Sequence, residues 1–183
     1  MITQSVAFGQ SKYYGIVVTK QNDTLKNVEF KLKGSFEAHK LLALQEKTTV
    51  ILNNESVDYY PKDLKYFKFM LGGVIYIFDN VDDTFFAQRM YVGNVKLHKF
   101  LKEVNTYPNK GIFRYYLIRR PNGIYSELVA MGLSRLITKK TMLPAIEDCK
   151  VSYDKIDNDI IKIKDEDKLI EFVKDYENNC FKN

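Results

Sequence analysis

The chain has 183 residues and a formal net charge of +5, and its 45% apolar and 28% charged residues are typical of a folded protein with its own core. Its apolar runs are much shorter than the ~20 residues of a membrane-spanning helix, and its two cysteines are too few for a zinc site or a multi-bridge framework. The 13 Tyr and 12 Phe, without any Trp, favour strands, because flat rings pack well on a pleated sheet.

The charge is unevenly distributed along the chain. Residues 1–125 carry 18 Lys and Arg against 11 Asp and Glu, a balance of +7, whereas residues 126–183 carry 10 against 12, a balance of −2. A basic first part is suited to polyanions or to an anionic membrane surface. Lysines also protect strand edges from aggregation, so the composition by itself favours a solvated lysine-rich surface.

The first ten residues, MITQSVAFGQ, carry no charge. Ala7-Phe8-Gly9 matches the small-x-small pattern of a signal-peptidase site. We interpret residues 1–10 as the remnant of a signal peptide, although no basic segment precedes the apolar one. The alternative is a frayed N-terminus or an opening strand.

Residues 13–128 predict about eight to ten short strands joined by tight turns. The first pair spans residues 13–32, with an irregularity near Asn27. Residues 34–46 are compatible with a short helix or with a loop over the sheet. The clearest hairpin signals are the turns Gly93-Asn94 and Asn122-Gly123, each flanked by alternating β-branched and aromatic residues.

After residue 128 the hydrophobic period changes to that of helices. Thr141 is predicted to cap a helix with Pro144 in its first turn, and residues 152–156 predict another short helix. Acidic residues 165–167 suit the N-terminus of a last helix. The apolar stripe of that helix is Leu169, Phe172, Val173 and Tyr176.

These patterns predict an α+β fold. An antiparallel, barrel-like sheet occupies the N-terminal two-thirds, and a cluster of about three short helices follows. The predicted boundaries are 11–128 for the β part and 129–183 for the helical part, which either pack as two units or form a single domain.

The order of motifs resembles a group of uncharacterised exported proteins common in Bacteroidetes. The likeness rests on GIVVTKQNDTL at 15–25, FFAQRMYVGNVKL at 85–97, DC at 148–149 and YENNC at 176–180. It implies export to the periplasm or cell surface and implies no particular activity.

The sequence predicts no catalytic, cofactor-binding or metal-binding residues. P-loop, Rossmann, Gly-x-Ser-x-Gly and His-Glu-x-x-His motifs do not occur. We interpret His39 and His98, the two histidines, as surface or edge residues. The acidic segments 79–83 and 154–159 lack the spacing of a calcium loop, and the first is better explained as a turn between strands.

Two basic aromatic runs, KYFKF at 65–69 and RYYLIRR at 114–120, are candidates for binding. Aromatic rings on a sheet can stack on bases while basic groups hold phosphates, but in a strand these side chains divide between two faces. The candidate binding surface is Lys65, Tyr66, Lys68, Arg114, Tyr116, Arg119 and Arg120.

We therefore expect a non-enzymatic exported protein of the cell envelope that needs no cofactor and binds another envelope protein or a surface molecule. The alternatives are a hydrolase with a site assembled from dispersed residues and a cytoplasmic nucleic-acid-binding module.

Cys149 and Cys180 are predicted to form a disulfide. Cys149 lies near the end of one predicted helix and Cys180 just past the end of the last one, and antiparallel packing of these helices can bring their Cα atoms within the ~4.4–6.8 Å that a bridge requires. The alternative is a pair of free thiols, as expected in the cytosol.

Overall fold

A computed structural model describes residues 12–34, 37–106, 109–130 and 135–182. The predicted leader, residues 1–10, lies outside these ranges. The strands are β1 (Tyr13–Thr19), β2 (Thr24–Phe30), β3 (Thr48–Leu52), β4 (Glu55–Tyr59), β5 (Leu64–Leu71), β6 (Val74–Val81), β7 (Phe85–Val92), β8 (Lys96–Thr106), β9 (Asn109–Arg119) and β10 (Tyr125–Val129). The helices are α1 (Glu37–Glu46), α2 (Lys139–Ala145), α3 (Lys150–Asp157) and α4 (Glu166–Cys180), and a 3-10 turn spans Pro61–Asp63.

All described strands belong to one antiparallel sheet in the order β10-β9-β8-β7-β6-β5-β1-β2-β3-β4. The predicted α+β class is confirmed, because this sheet fills the first two-thirds of the chain and three of the four described helices follow it. The sheet is not closed into a barrel, since β10 and β4 form its two edges. The segment 34–46, compatible with helix or loop, contains α1.

Two meanders are joined where β1 pairs with β5. Val17 lies between Leu25 of β2 and Phe67 of β5. The predicted irregularity at Asn27 is confirmed: the β1–β2 register shifts there, and Asn27 has φ 56°. A short polar side chain tolerates this left-handed conformation, which a bulge requires.

The two faces of the sheet differ in what covers them. The helix face carries Phe67 and Phe78, which pack with Leu44 of α1, and also Leu97 and Ile118, which pack against α2–α4. The opposite face carries the alternate residues, among them Asp79, paired with Ala87 in β7, and His98, paired with Arg89. Strand alternation therefore assigns each side chain to one of two different environments.

The sheet curves strongly around the end of the β6–β7 hairpin. The ring of Phe85 lies 5.2 Å from that of Phe100, and the side chain of Asp82 in the hairpin turn lies 3.2 Å from Arg119 of β9. These contacts bury a small cluster on the opposite face, formed by Val81, Ala87, Phe100 and Leu117.

The C-terminal helices lie in the region where the sequence predicts them, but not every helix begins at the predicted residue. Helix α2 begins after Thr138, not Thr141, and Pro144 lies in its last turn instead of its first. At that position Pro144 removes a backbone donor and favours an early end to the helix. For α4 the prediction is confirmed: Asp165 accepts a hydrogen bond from the backbone N–H of Lys168 at 2.8 Å. The predicted stripe Leu169, Phe172, Val173 and Tyr176 is buried.

Candidate functional site

The predicted binding surface is divided between the two faces of the sheet. Lys68 pairs with Ile16 and Ile77 on the opposite face, whereas Arg114 lies on the helix face with 57% of its side chain exposed. Tyr116 is 0% and Arg120 8% exposed. Both side chains are covered by the C-terminal helices, so they cannot belong to a binding surface, and this part of the prediction is corrected.

Tyr116 and Arg120 instead hold the helices on the sheet. The hydroxyl of Tyr116 donates to Glu166 of α4 at 2.8 Å, and burial together with this hydrogen bond raises the pKa of Tyr116. The Nε atom of Arg120 lies 2.7 Å from a carboxylate oxygen of Asp148 and 2.9 Å from the hydroxyl of Tyr176. A buried arginine requires such partners.

Two further residues of the predicted surface, Lys65 and Arg119, contact other parts of the sheet. Lys65 donates to the side-chain oxygen of Asn22, and Arg119 forms its ion pair with Asp82. Of the predicted set, Lys68 lies beside an exposed apolar surface, whereas the ring of Tyr66 is covered by the guanidinium of Arg89, 5.4 Å from its centroid.

That surface lies on the opposite face, where β1, β2, β5 and β6 meet. We name it the β1–β5 patch and define it by Tyr14, Ile16, Lys26, Lys68, Met70 and Ile75. The patch surrounds a shallow depression of about 320 Å³. Its apolar side chains are unusually open to solvent, with Tyr14 45%, Met70 53% and Ile75 60% exposed.

The patch is positively charged. Lys26 and Lys68 line it together with uncharged side chains. In the described ranges, neither ammonium group forms an ion pair or a side-chain hydrogen bond, unlike Lys12 nearby, which pairs with Glu29 at 2.9 Å. Exposed apolar side chains beside unpaired cations are suited to a partner with apolar and acidic groups.

A second cluster, which sequence reasoning did not identify, is centred on Asp79. Its carboxylate accepts hydrogen bonds from Arg89, with Nε at 2.8 Å and a second bond from the guanidinium, and contacts Nε2 of His98 at 3.0 Å. Burial on its own raises the pKa of Asp79, but hydrogen bonds from Arg89 and His98 and the charge of Arg89 outweigh it and lower that pKa to about 2. The sequence signal that could have located part of this cluster is the Gly93-Asn94 turn, because the hairpin around it places Arg89 opposite His98.

His98 is 4% exposed, so its interpretation as a surface or edge residue is corrected. Strands β7 and β9 flank it, with Arg89 and Leu117 as its cross-strand neighbours. Its Nδ1 atom has no hydrogen-bond partner among the described residues. A carboxylate can orient an imidazole for proton transfer, but here the ring is shielded from solvent.

The cysteines lie close together, as predicted, but Cys149 stands before a helix and not near the end of one. Cys149 precedes α3 and Cys180 ends α4, and their Cα atoms are 6.0 Å apart, at disulfide distance. Cys149 is buried against the C-terminal core. The pair therefore connects the beginning of α3 with the end of α4.

In the part of the chain that the structure describes, no helix has the length and apolar character needed to cross a membrane. Across the same ranges, no group of three or more His, Cys, Asp or Glu side chains is arranged to hold a metal ion. Comparison with protein-family models, with curated proteins and with solved structures finds no match for the chain.

Proposed function

We propose that the protein is an exported, non-enzymatic binding protein of the cell envelope, and that it engages a protein partner through the β1–β5 patch. The observation that carries this proposal is the exposure of Tyr14, Met70 and Ile75 beside two unpaired ammonium groups. Interface cores are rich in aromatic residues and Met, and charges around them set specificity. The partner surface is expected to offer an apolar side chain flanked by carboxylates.

Export is supported by the cysteine pair and by the resemblance to exported proteins. Disulfides persist in oxidising compartments such as the periplasm and are rare in the cytosol. Cys149 and Cys180 lie at the distance that a disulfide requires. Cell fractionation tests this point: the protein should be found in the envelope or periplasmic fraction, and recovery from the cytosol would contradict it.

Binding is better supported than the two alternatives. A hydrolase that uses the Asp79–His98 pair needs its imidazole to reach a substrate, whereas His98 is buried and Asp79 is held by Arg89. Sequence-independent binding of nucleic acid needs a continuous basic groove. The side chains of the basic aromatic runs are instead divided between the two faces of the sheet, and Arg120 is buried.

A cross-linking experiment with matched variants tests the patch. The mature chain is incubated with an envelope extract and cross-linked, and the captured protein is identified and titrated in purified form. Ile75→Asp and Lys68→Glu should each weaken its binding at least about tenfold, which is ~1.4 kcal/mol. Binding should also weaken with added salt, because the lysines contribute charge attraction.

Ile160→Asp and Lys162→Glu are the matched controls. Ile160 is 72% exposed and lies between α3 and α4, away from the patch. The controls should bind the partner as the wild type does. Equal capture by wild type and Ile75→Asp would rule out the patch as the interface.

A further inference from the structure

A cleft on the helix face, between α1 and the beginning of α4, has the size and lining of a small-molecule site. Its volume is about 380 Å³, within the range of ligand pockets. The floor is formed by Phe78, Leu101 and Ile112, and α1 contributes Ala38 and Leu41 to one wall.

The cleft exists because β7 separates from β8. Their pairing ends at Gln88 and Lys99, and beyond this point Gln45 of α1 takes the place of the missing strand. The side chain of Gln45 accepts from the backbone N–H of Leu101 at 2.5 Å and donates to its carbonyl oxygen at 2.7 Å. Both bonds are buried, so α1 is held at a fixed distance from β8 and the cleft is preformed.

One end of the cleft is basic. Lys99 and Arg114 line it, and they share one carboxylate, that of Glu166, at 3.2 Å and 3.7 Å. Glu166 also accepts the hydroxyl of Tyr116 at 2.8 Å. Lys99, Arg114 and Glu166 together carry a net charge of +1. Most N–H donors of the exposed Arg114 guanidinium remain available for a ligand.

We propose that this cleft binds a small anionic amphiphile, a carboxylate that carries a short apolar chain. The carboxylate lies against Arg114 and Lys99, where an arginine can hold it through two parallel hydrogen bonds. The chain lies along Leu41, Phe78 and Ile112. This site is on the other face of the sheet from the β1–β5 patch and does not depend on it.

Titration of the full chain with sodium decanoate, below the concentration at which it forms micelles, tests the proposal. Isothermal calorimetry and amide chemical shifts should show saturable binding of one decanoate, with the largest shift changes in α1, β8 and β9. Decanol should bind at least about tenfold more weakly because it lacks the charge, and decyltrimethylammonium should bind most weakly because it carries the opposite charge.

Substitutions at two exposed positions distinguish the contacts of the carboxylate head from those of the apolar tail of the ligand. Arg114→Gln should weaken decanoate binding about tenfold and leave decanol binding unchanged. Ala38→Trp, on the exposed side of α1 at the wall of the cleft, should abolish the binding of both. Lys140→Gln, an exposed lysine of α2, is the control and should bind as the wild type does.

The absence of saturable decanoate binding up to millimolar concentration would overturn the proposal. Equal affinity of wild type and Arg114→Gln would also overturn it, as would binding that Ala38→Trp leaves unchanged. Loss of decanoate binding in Ile75→Asp would place the ligand on the β1–β5 patch instead. None of these results bears on capture of a protein partner, so the two proposals fail separately.

Discussion

Glu177, in the last turns of α4, accepts a hydrogen bond from the backbone N–H of Val95 at 2.9 Å. Gly93, in the β7–β8 turn, lies so close to this carboxylate that a Cβ atom at position 93 would overlap it. On the far side of the turn, the side-chain amide of Asn94 donates to the carbonyl oxygen of Phe181 at 3.1 Å. The end of α4 and the central hairpin therefore form one packed unit.

Replacement of Glu177 tests this unit. Glu177→Ala leaves the buried N–H of Val95 without an acceptor, so the free energy of unfolding should fall by about 2 kcal/mol. Glu177→Gln retains an acceptor oxygen and should cost clearly less. Urea unfolding measures both variants, and equal costs would show that the hydrogen bond to Val95 contributes little.

A double-mutant cycle tests the close approach of Gly93. Gly93→Ala should destabilise the wild type by about 1–3 kcal/mol, because the new methyl group overlaps the carboxylate of Glu177. The same change should cost less in Glu177→Ala, which removes the two carboxylate oxygens and leaves the Tyr91 hydroxyl, 2.6 Å from the Cβ position, as the remaining close atom. The difference is the coupling between the two residues, and additive costs would contradict the contact.

Gln45 should be critical for the attachment of α1. Gln45→Ala leaves the buried N–H and carbonyl groups of Leu101 without their partners, so we expect a loss of about 2–4 kcal/mol of unfolding free energy. Gln45→Glu keeps the acceptor for the N–H but cannot donate to the carbonyl when ionised. Hydrogen exchange at Leu101 should accelerate in Gln45→Ala and also in Gln45→Glu, whose buried carboxylate would face the carbonyl oxygen of Leu101; unchanged exchange in both would contradict this role.

Local patterns predicted the fold class and several details. The Gly93-Asn94 turn determines the β7–β8 hairpin locally, because the first paired residues, Val92 and Lys96, are only four positions apart. Asn27 indicates the bulge in β2 because it interrupts a strict alternation of apolar and polar residues. The stripe from Leu169 to Tyr176 repeats at the helical period and is buried, as that pattern predicts. In each case the physical cause lies within one element or one turn.

The distribution of the binding residues could not be predicted in the same way. Arg119 and Arg120 are neighbours, yet the first reaches Asp82 on the opposite face and the second is buried against Tyr176. Alternation separates such neighbours but does not say which face the helices cover. The β1–β5 patch likewise depends on a pairing between residues about 50 positions apart, such as Ile16 and Lys68, for which no local pattern exists.

The low pKa of Asp79 predicts a pH dependence of stability. In the folded protein this pKa is about 2, below the ordinary value of 3.8. The carboxylate therefore contributes stability that is present above pH ~4 and is lost as the pH falls through ~2. The contribution is about 2 kcal/mol at neutral pH.

Asp79→Asn measures this contribution. At pH 7 the variant should be less stable than the wild type, and the difference should shrink as the pH falls from about 5 to 2. Asp157→Asn, at an exposed carboxylate of α3, should leave the pH profile of the wild type unchanged. Parallel profiles for wild type and Asp79→Asn would contradict the ion pair with Arg89.

The last prediction concerns the stability that a Cys149–Cys180 disulfide contributes. A bridge between Cys149 and Cys180 closes a loop over a sequence separation of 31, for which chain entropy gives about 3–4 kcal/mol. Cys149→Ala, Cys180→Ala and the double variant should each lose this amount under oxidising conditions, because removing either partner removes the bridge. Under reducing conditions the wild type should approach the variants.

The state of the thiols decides the matter independently of stability. Protein isolated from its native compartment and denatured without reductant should react with no thiol reagent until it is reduced, and should then expose two thiols per chain. Because α4 holds the β7–β8 turn through Glu177, reduction should also accelerate hydrogen exchange at Val95. Two reactive thiols before reduction would exclude the bridge and would remove the main structural support for export.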